Sequence, residues 1–241
     1  MEKRLWEIDA LRGIAICLMV VFHFAFDLNY LNIANISVSQ MPWLLLQRIT
    51  ISLFLLLVGA SLYLKSEKLA AQQKNINLEL AKRAFFLFAV AALISLATWL
   101  IAPQQFIAFG IIHVIALSTI VAIPFLRLYK LNLLIGALLL ASSFFFQLPQ
   151  INTPLLLWFG FTFPGFQSLD FVPLFPWFGL ILIGIFAAKL AYKENKLKIN
   201  LEKPQSKIVE LLQIAGRNSL LIYLLHQPIL FAALKLYMVI F

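Results

Sequence analysis

Residues 12–23 read Arg12-Gly-Ile-Ala-Ile-Cys-Leu-Met-Val-Val-Phe-His23. A cation and an imidazole close the two ends of an otherwise apolar run. On an α-helix, eleven steps rise about 16 Å and return to within roughly 20° of the starting direction. The two side chains therefore share one face of one helix, the arginine near its mouth and the histidine deep inside. Ionisable groups are costly in lipid and mark sites or pathways there. This stretch therefore argues both for a membrane helix and for chemistry built on it.

The rest of the chain agrees. It is 63% hydrophobic and 12% charged, with 23 Phe among 241 residues. A soluble domain carries about 45–50% apolar and about 25% charged residues, so this chain cannot hide its apolar surface from water. The expected fold class is an all-α polytopic bundle forming a single domain over 1–241. The net charge of +9 does not indicate nucleic acid, because the positions of the cations explain it better. The single Cys17 excludes an internal disulfide and reads as a small buried hydrophobe. Lys3 and Arg4 precede the first apolar run as in a signal peptide. No small-residue cleavage site follows, and the run continues into Phe22-His-Phe-Ala-Phe-Asp27, so an uncleaved first span is expected.

A membrane helix needs about 20 mostly apolar residues, and seven runs qualify: 10–30, 43–64, 84–102, 106–126, 131–148, 172–191 and 218–240. Pro42, Pro103 and Pro149 punctuate them. Residues 149–171, with Trp158, Phe159, Phe161 and Phe163, read as a short re-entrant or interfacial element resting on protein. The 65–83 and 192–217 connectors are polar and are expected to carry short surface helices. Of the 19 Lys and Arg residues, all but Arg48 and Lys235 fall before the first run or in its first turn (Arg12), between runs two and three or four and five, or from the last turn of run six (Lys189) to the start of run seven. If seven spans alternate, these cations share one side. The positive-inside rule then puts the N-terminus in the cytoplasm and the C-terminus outside.

Several polar residues within or beside the runs are candidates for chemistry. Asp9 and Arg12 stand three apart and can pair on one helical face. Together they read as a cytoplasmic-face anion site, Arg12 holding a phosphate and Asp9 orienting it, or as a positive-inside anchor with its partner. His23 and Asp27 stand four apart, and a carboxylate beside an imidazole suits a general base. Gln47 and Arg48 lie in the first turns of the second run. Arg48 either snorkels to headgroups or faces inward to bind an anionic or sugar group or to pair with Asp27 or Asp170. His113 and His226 are expected at a depth similar to His23, lining a shared polar cavity. Pro228 is expected to kink the last helix beside His226 and Gln227. Asp170 and Trp177 flank the irregular entry to the sixth run, Trp177 as an interfacial anchor or a platform for a sugar ring. No metal-ligand set has recognisable spacing, so no metal is expected. No Gly-rich phosphate loop, Gly-x-Ser-x-Gly or His-Glu-x-x-His is present.

Arg12 followed after ten residues by His23 resembles the opening of the acyltransferase-3 membrane acyltransferases. The longer string from Glu7-Ile-Asp-Ala-Leu-Arg-Gly through Phe22-His-Phe-Ala-Phe-Asp27 is most similar to bacterial members of the heparan-α-glucosaminide N-acetyltransferase catalytic-domain family. Pro176-Trp-Phe-Gly179 and the Asn218-Ser219, Tyr223 and His226 block resemble it too. The resemblance implies an integral membrane acyltransferase of a bacterial inner (plasma) membrane. It would move an acyl group, acetyl in the family's case, from cytoplasmic acyl-CoA to a hydroxyl or amine of an extracytoplasmic glycan or lipid-linked sugar. It puts the acyl-transfer histidine on His23 and the CoA-side arginine on Arg12. The pantetheine arm would thread along span one, and Gln47, Arg48 or His113 could stabilise the oxyanion. Membrane lipids are the expected surroundings, nucleic acid is not an expected partner, and the small size is compatible with a homodimer. A small transporter or flippase for a lipid-linked or anionic solute is the alternative, which inverted repeats and paired broken helices would favour. A non-catalytic partner subunit is the third class.

Overall fold

The computed structural model describes residues 5–193 and 204–240. Among the described residues every regular element is a helix. The only β contact is an isolated parallel bridge between Phe109 and Phe171. The cations Lys3, Arg4, Lys196, Lys198 and Lys203, counted above toward the orientation, lie outside the described residues. The chain divides into two compact units, Met1–Leu57 with Asn200–Phe241, and Val58–Ile199.

The first unit is built on α1 (Trp6–Tyr30). Its apolar residues separate into two stripes. Leu11, Ile14, Cys17, Val21 and Phe24 are exposed at helical spacing, whereas Gly13, Ile16, Met19 and Phe22 are buried. An exposed apolar stripe on a helix of this length is a lipid-facing surface. Cys17 lies on it, which corrects the expectation of a buried thiol. Between Gly13 and Phe22 the helix is apolar all round, so the local pattern there does not separate the lipid side from the packed side. α2 (Trp43–Ala71) begins in this unit and runs on into the other.

The unit closes with α7 (Lys207–Arg217) and α8 (Ser219–Ile240). α7 is one of the surface helices expected in the connector before the last span. It lies directly on α1: a Cβ at Gly13 would strike the Leu212 backbone carbonyl, and one at Gly216 the Asp9 carbonyl. Such backbone contact needs small residues at the crossing. α8 runs parallel to α1, since the residues paired between them rise together: Asp9 with Arg217, just before α8 begins, then His23 with His226 and Asp27 with Gln227.

The second unit holds the C-terminal part of α2, α3 (Ile76–Ile101), α4 (Ile111–Val121), α5 (Lys130–Phe145) and α6 (Leu174–Ala188), the last continued by a π-helical turn Lys189–Lys193. Asn75 caps α3, accepting from the Leu78 N–H at 3.1 Å. α5 and α6 meet at Gly136 and Gly179, where a Cβ on either would come within 2.6 Å of the other's carbonyl oxygen. Gly59 of α2 likewise faces the backbone of Ile181 in α6. The Pro-rich segment before α6 is irregular, as expected. Its backbone is paired within protein: Ile151 N–H donates to Thr162 O, Leu169 N–H to Gln105 O and Val172 N–H to Phe109 O. Phe159 stacks on both Phe161 and Phe175.

Among the described residues five helices are long and apolar enough to cross a membrane: Trp6–Tyr30, Trp43–Ala71, Ile76–Ile101, Leu174–Tyr192 and Ser219–Ile240. The fourth and fifth apolar runs form shorter helices of 11 and 16 residues, about 17 and 24 Å long against a hydrocarbon core of about 30 Å. Pro124 ends α4 in a 3-10 turn, Pro124–Arg127, because it supplies no N–H to continue the ladder. Residues 106–110 are irregular and tied to α3, Ser95 Oγ donating to Ile107 O at 2.6 Å and the Ile107 N–H to Thr98 Oγ1 at 3.1 Å.

Candidate functional site

Two polar clusters occupy two levels of α1. The lower one forms where the first turns of α1 meet the end of α7. Asp9 is buried, its side chain 5% exposed. Its Oδ1 accepts from Arg12 Nη1 at 3.1 Å and its Oδ2 from Arg217 Nε at 3.2 Å. Arg217 Nη2 also donates to Gln213 Oε1 at 3.4 Å. The i,i+3 pair expected from sequence is therefore present, and a second arginine completes it. That arginine comes from 208 residues away, and sequence reasoning counted it only among the loop cations. Gly216 is what permits it: without a side chain there, α7 can press onto the Asp9 backbone and hold Arg217 beside the carboxylate.

The upper cluster lies about 16 Å along α1. The His23 and His226 rings meet edge to face with centroids 4.8 Å apart. His226 Nδ1 lies 2.7 Å from the Tyr223 carbonyl oxygen, which only accepts. The proton is thus on Nδ1 and Nε2 presents a lone pair. Asp27, 1% exposed, accepts at Oδ1 from Gln227 Nε2 at 2.8 Å. Among the described residues four buried polar atoms of this cluster have no partner: His23 Nδ1, Asp27 Oδ2, His226 Nε2 and Gln227 Oε1. Buried polar groups are nearly always hydrogen-bonded, and exceptions call for a reason such as a catalytic role or a missing ligand. The expected His23–Asp27 pair is not formed. Gln227 reaches the carboxylate from α8, and the His23 ring packs against His226 instead.

Arg12 and His23 both face protein rather than lipid: Arg12 is engaged with Asp9, and His23 is half-buried against His226. The face between them is closed in this conformation. Ile16 and Met19, which occupy it, are 2% and 5% exposed, so the open thioester path expected along span one is absent there.

In the second unit, His113 is accounted for by structure. Its Nδ1 accepts from the Gly110 N–H at 3.2 Å, so Nε2 carries the proton and donates to Ser95 Oγ, also at 3.2 Å. Asp170 Oδ2 accepts from the Ile111 N–H at 2.9 Å. Both residues thus tie up the start of α4, where backbone donors lack helical partners and a carboxylate is favoured by the helix dipole. Trp177 is half-buried in the first turns of α6. In the first unit, Gln47 is half-buried and Arg48 exposed. Arg48 makes no ion pair among the described residues, which of the two alternatives fits a snorkelling side chain better than a pair with Asp27. No group of three or more His, Cys, Asp or Glu among the described residues could hold a metal ion.

The family model described as "Heparan-alpha-glucosaminide N-acetyltransferase, catalytic" matches residues 4–228. That range contains both clusters of α1 with their partners on α7 and α8. No curated protein and no solved structure matches the chain.

Proposed function

The chain belongs to the heparan-alpha-glucosaminide N-acetyltransferase catalytic family, and from that premise we propose that it transfers an acetyl group from cytoplasmic acyl-CoA to a hydroxyl or amine of an extracytoplasmic sugar or glycan. The family makes it a membrane acetyltransferase. The donor, the acceptor and the direction of transfer are our reading. The observation that carries it is the upper cluster, where His23 Nδ1, His226 Nε2 and Asp27 Oδ2 are buried and unpartnered at membrane depth. A merely structural histidine would have been satisfied, as His113 is.

In this reading His23 is the general base. It takes the proton of the acceptor as its oxygen or nitrogen attacks the thioester carbonyl. The tetrahedral intermediate then collapses, and the CoA thiolate leaves with the proton returned from the imidazolium. Asp27 and His226 flank the base. The carboxylate favours the imidazolium that forms, and the His226 lone pair can hold a hydroxyl or amine hydrogen. The donor's phosphates belong with the lower cluster. The buried Ile16 and Met19 face means that these side chains move aside, or that the arm approaches His23 along another face.

Topology supports the same direction. α1 and α8 begin at one level and run parallel, so the chain between them must cross an odd number of times. Five spans and seven both satisfy this, because the short α4 and α5 enter or stay out as a pair. The described cations Arg12, Lys68, Lys74, Lys82, Lys207 and Arg217 fall at the ends this arrangement assigns to the cytoplasm of a plasma membrane with either count, and Arg127 and Lys130 join them only with seven.

Purified protein in detergent tests the reading. Acetyl-CoA should stabilise the wild type thermally. Arg12→Ala should lose that stabilisation, and His23→Ala should keep it while losing transfer to an amino-sugar or glycan acceptor. Solute flux that ignores CoA, or transfer by His23→Ala at the wild-type rate, would overturn it.

A further inference from the structure

Arg217 is tethered with most of its guanidinium unspent. Of the five N–H donors of an arginine, Nε–H serves Asp9 and one Nη2–H serves Gln213. Among the described residues nothing takes the other three, which include both on Nη1. The side chain is 44% exposed and lines an open cleft of about 320 Å³ with Asn218, Leu220, Leu221 and Leu224. Asp9 gives each arginine one carboxylate oxygen, so Arg217 does not form the two-pronged pair that would consume its outer fork. A positioned guanidinium fork beside a shallow, open and mostly apolar surface hollow suits a phosphate carried on a less polar chain. Planar two-point recognition of phosphate is what guanidinium does best.

We propose that Arg217 anchors a phosphate group in the cleft at the α7–α8 junction, and that this phosphate belongs to the acyl-CoA donor. The inference rests on the acyl-CoA reading above and extends its anion site from α1 to the far end of the sequence. Arg12 then has a structural share in the site through Asp9, while Arg217 makes the contact. The same phosphate chemistry could be supplied by an anionic phospholipid headgroup, and the experiment separates the two sources.

The full chain is placed in nanodiscs of phosphatidylcholine, with or without phosphatidylglycerol. CoA affinity and acetyl-CoA kinetics are measured for the wild type, Arg217→Gln, Arg217→Lys, Asn218→Asp and Asn218→Ser. Arg217→Gln should weaken CoA binding and raise KM about tenfold with kcat within about twofold, alike in both lipid mixtures. Arg217→Lys should recover part of the loss. Asn218→Asp adds a negative charge to the cleft and gives up the Nδ2 donor to the Ile214 carbonyl; it should raise KM even if Arg217→Gln folds poorly, and Asn218→Ser, which loses the same bond without the charge, should not. An unchanged KM in both Arg217→Gln and Asn218→Asp overturns the inference and leaves the acetyltransferase reading standing. If CoA binding is unchanged but Arg217→Gln loses stabilisation that phosphatidylglycerol gives the wild type, the cleft is a lipid site and the donor assignment is wrong. A wild type that neither binds nor turns over acetyl-CoA sinks the parent reading itself.

Discussion

Replacing Asp9 by Asn tests whether one carboxylate holds α7 on α1. The carboxylate is buried and takes one charged hydrogen bond at each oxygen, 3.1 Å from Arg12 and 3.2 Å from Arg217. Bonds to charged groups contribute about 1.5–3 kcal/mol each, and removing one member of a buried ion pair costs about 3–5 kcal/mol. Two effects reduce that figure here. Arg12 and Arg217 are 23% and 44% exposed, so water recovers part of their loss. The asparagine carbonyl also keeps one acceptor. A net cost of about 2 kcal/mol remains, which for a chain of this length lowers Tm by about 4–8 °C. Thermal melts by intrinsic fluorescence in detergent measure it. A double-mutant cycle with Arg217→Gln isolates the pair, and the second substitution should cost far less once the first is made. A Tm within 1 °C of wild type, or strictly additive losses, would refute the reasoning.

Gly216→Leu should be comparably damaging, because its first carbon already meets the Asp9 carbonyl. Overpacking of about 1–3 kcal/mol should lower Tm and expose the Lys207 end of α7 to limited trypsin digestion. Gln227→Leu strips the one partner of Asp27 and should cost about 1–3 kcal/mol by thermal melt, whereas His226→Gln should lower turnover more than stability. Asp170→Ala removes a cap of α4 and should cost about 1 kcal/mol with turnover within about twofold. A loss of activity of several orders there would return Asp170 to the substrate site.

The helices were legible because the information is local. Apolar length marks α1, α2, α3, α6 and α8, and a three-residue spacing marks the Asp9–Arg12 pair. What joins the site was not. Asp9 with Arg217 and Asp27 with Gln227 are 208 and 200 residues apart, and no periodicity connects them. The available signals were weaker ones: a glycine just before an arginine at the end of an amphipathic stretch, and a second polar residue beside His226 in an apolar helix. Cys17 was misplaced because lipid and core demand the same side chains. A polar residue in an apolar segment looks alike in sequence whether it ends a helix, as His113 and Asp170 do at α4, or serves a ligand.

Cys17 is the sole thiol of the chain, and it projects outward midway between the levels of Arg12 and His23 on the opposite side of α1. It is therefore a built-in depth gauge. A nitroxide attached there would sit in hydrocarbon, relaxed by dissolved oxygen and shielded from water-borne nickel chelates, without disturbing either polar cluster. The unmodified sequence thus supplies its own ruler for how far the first helix has sunk into the bilayer.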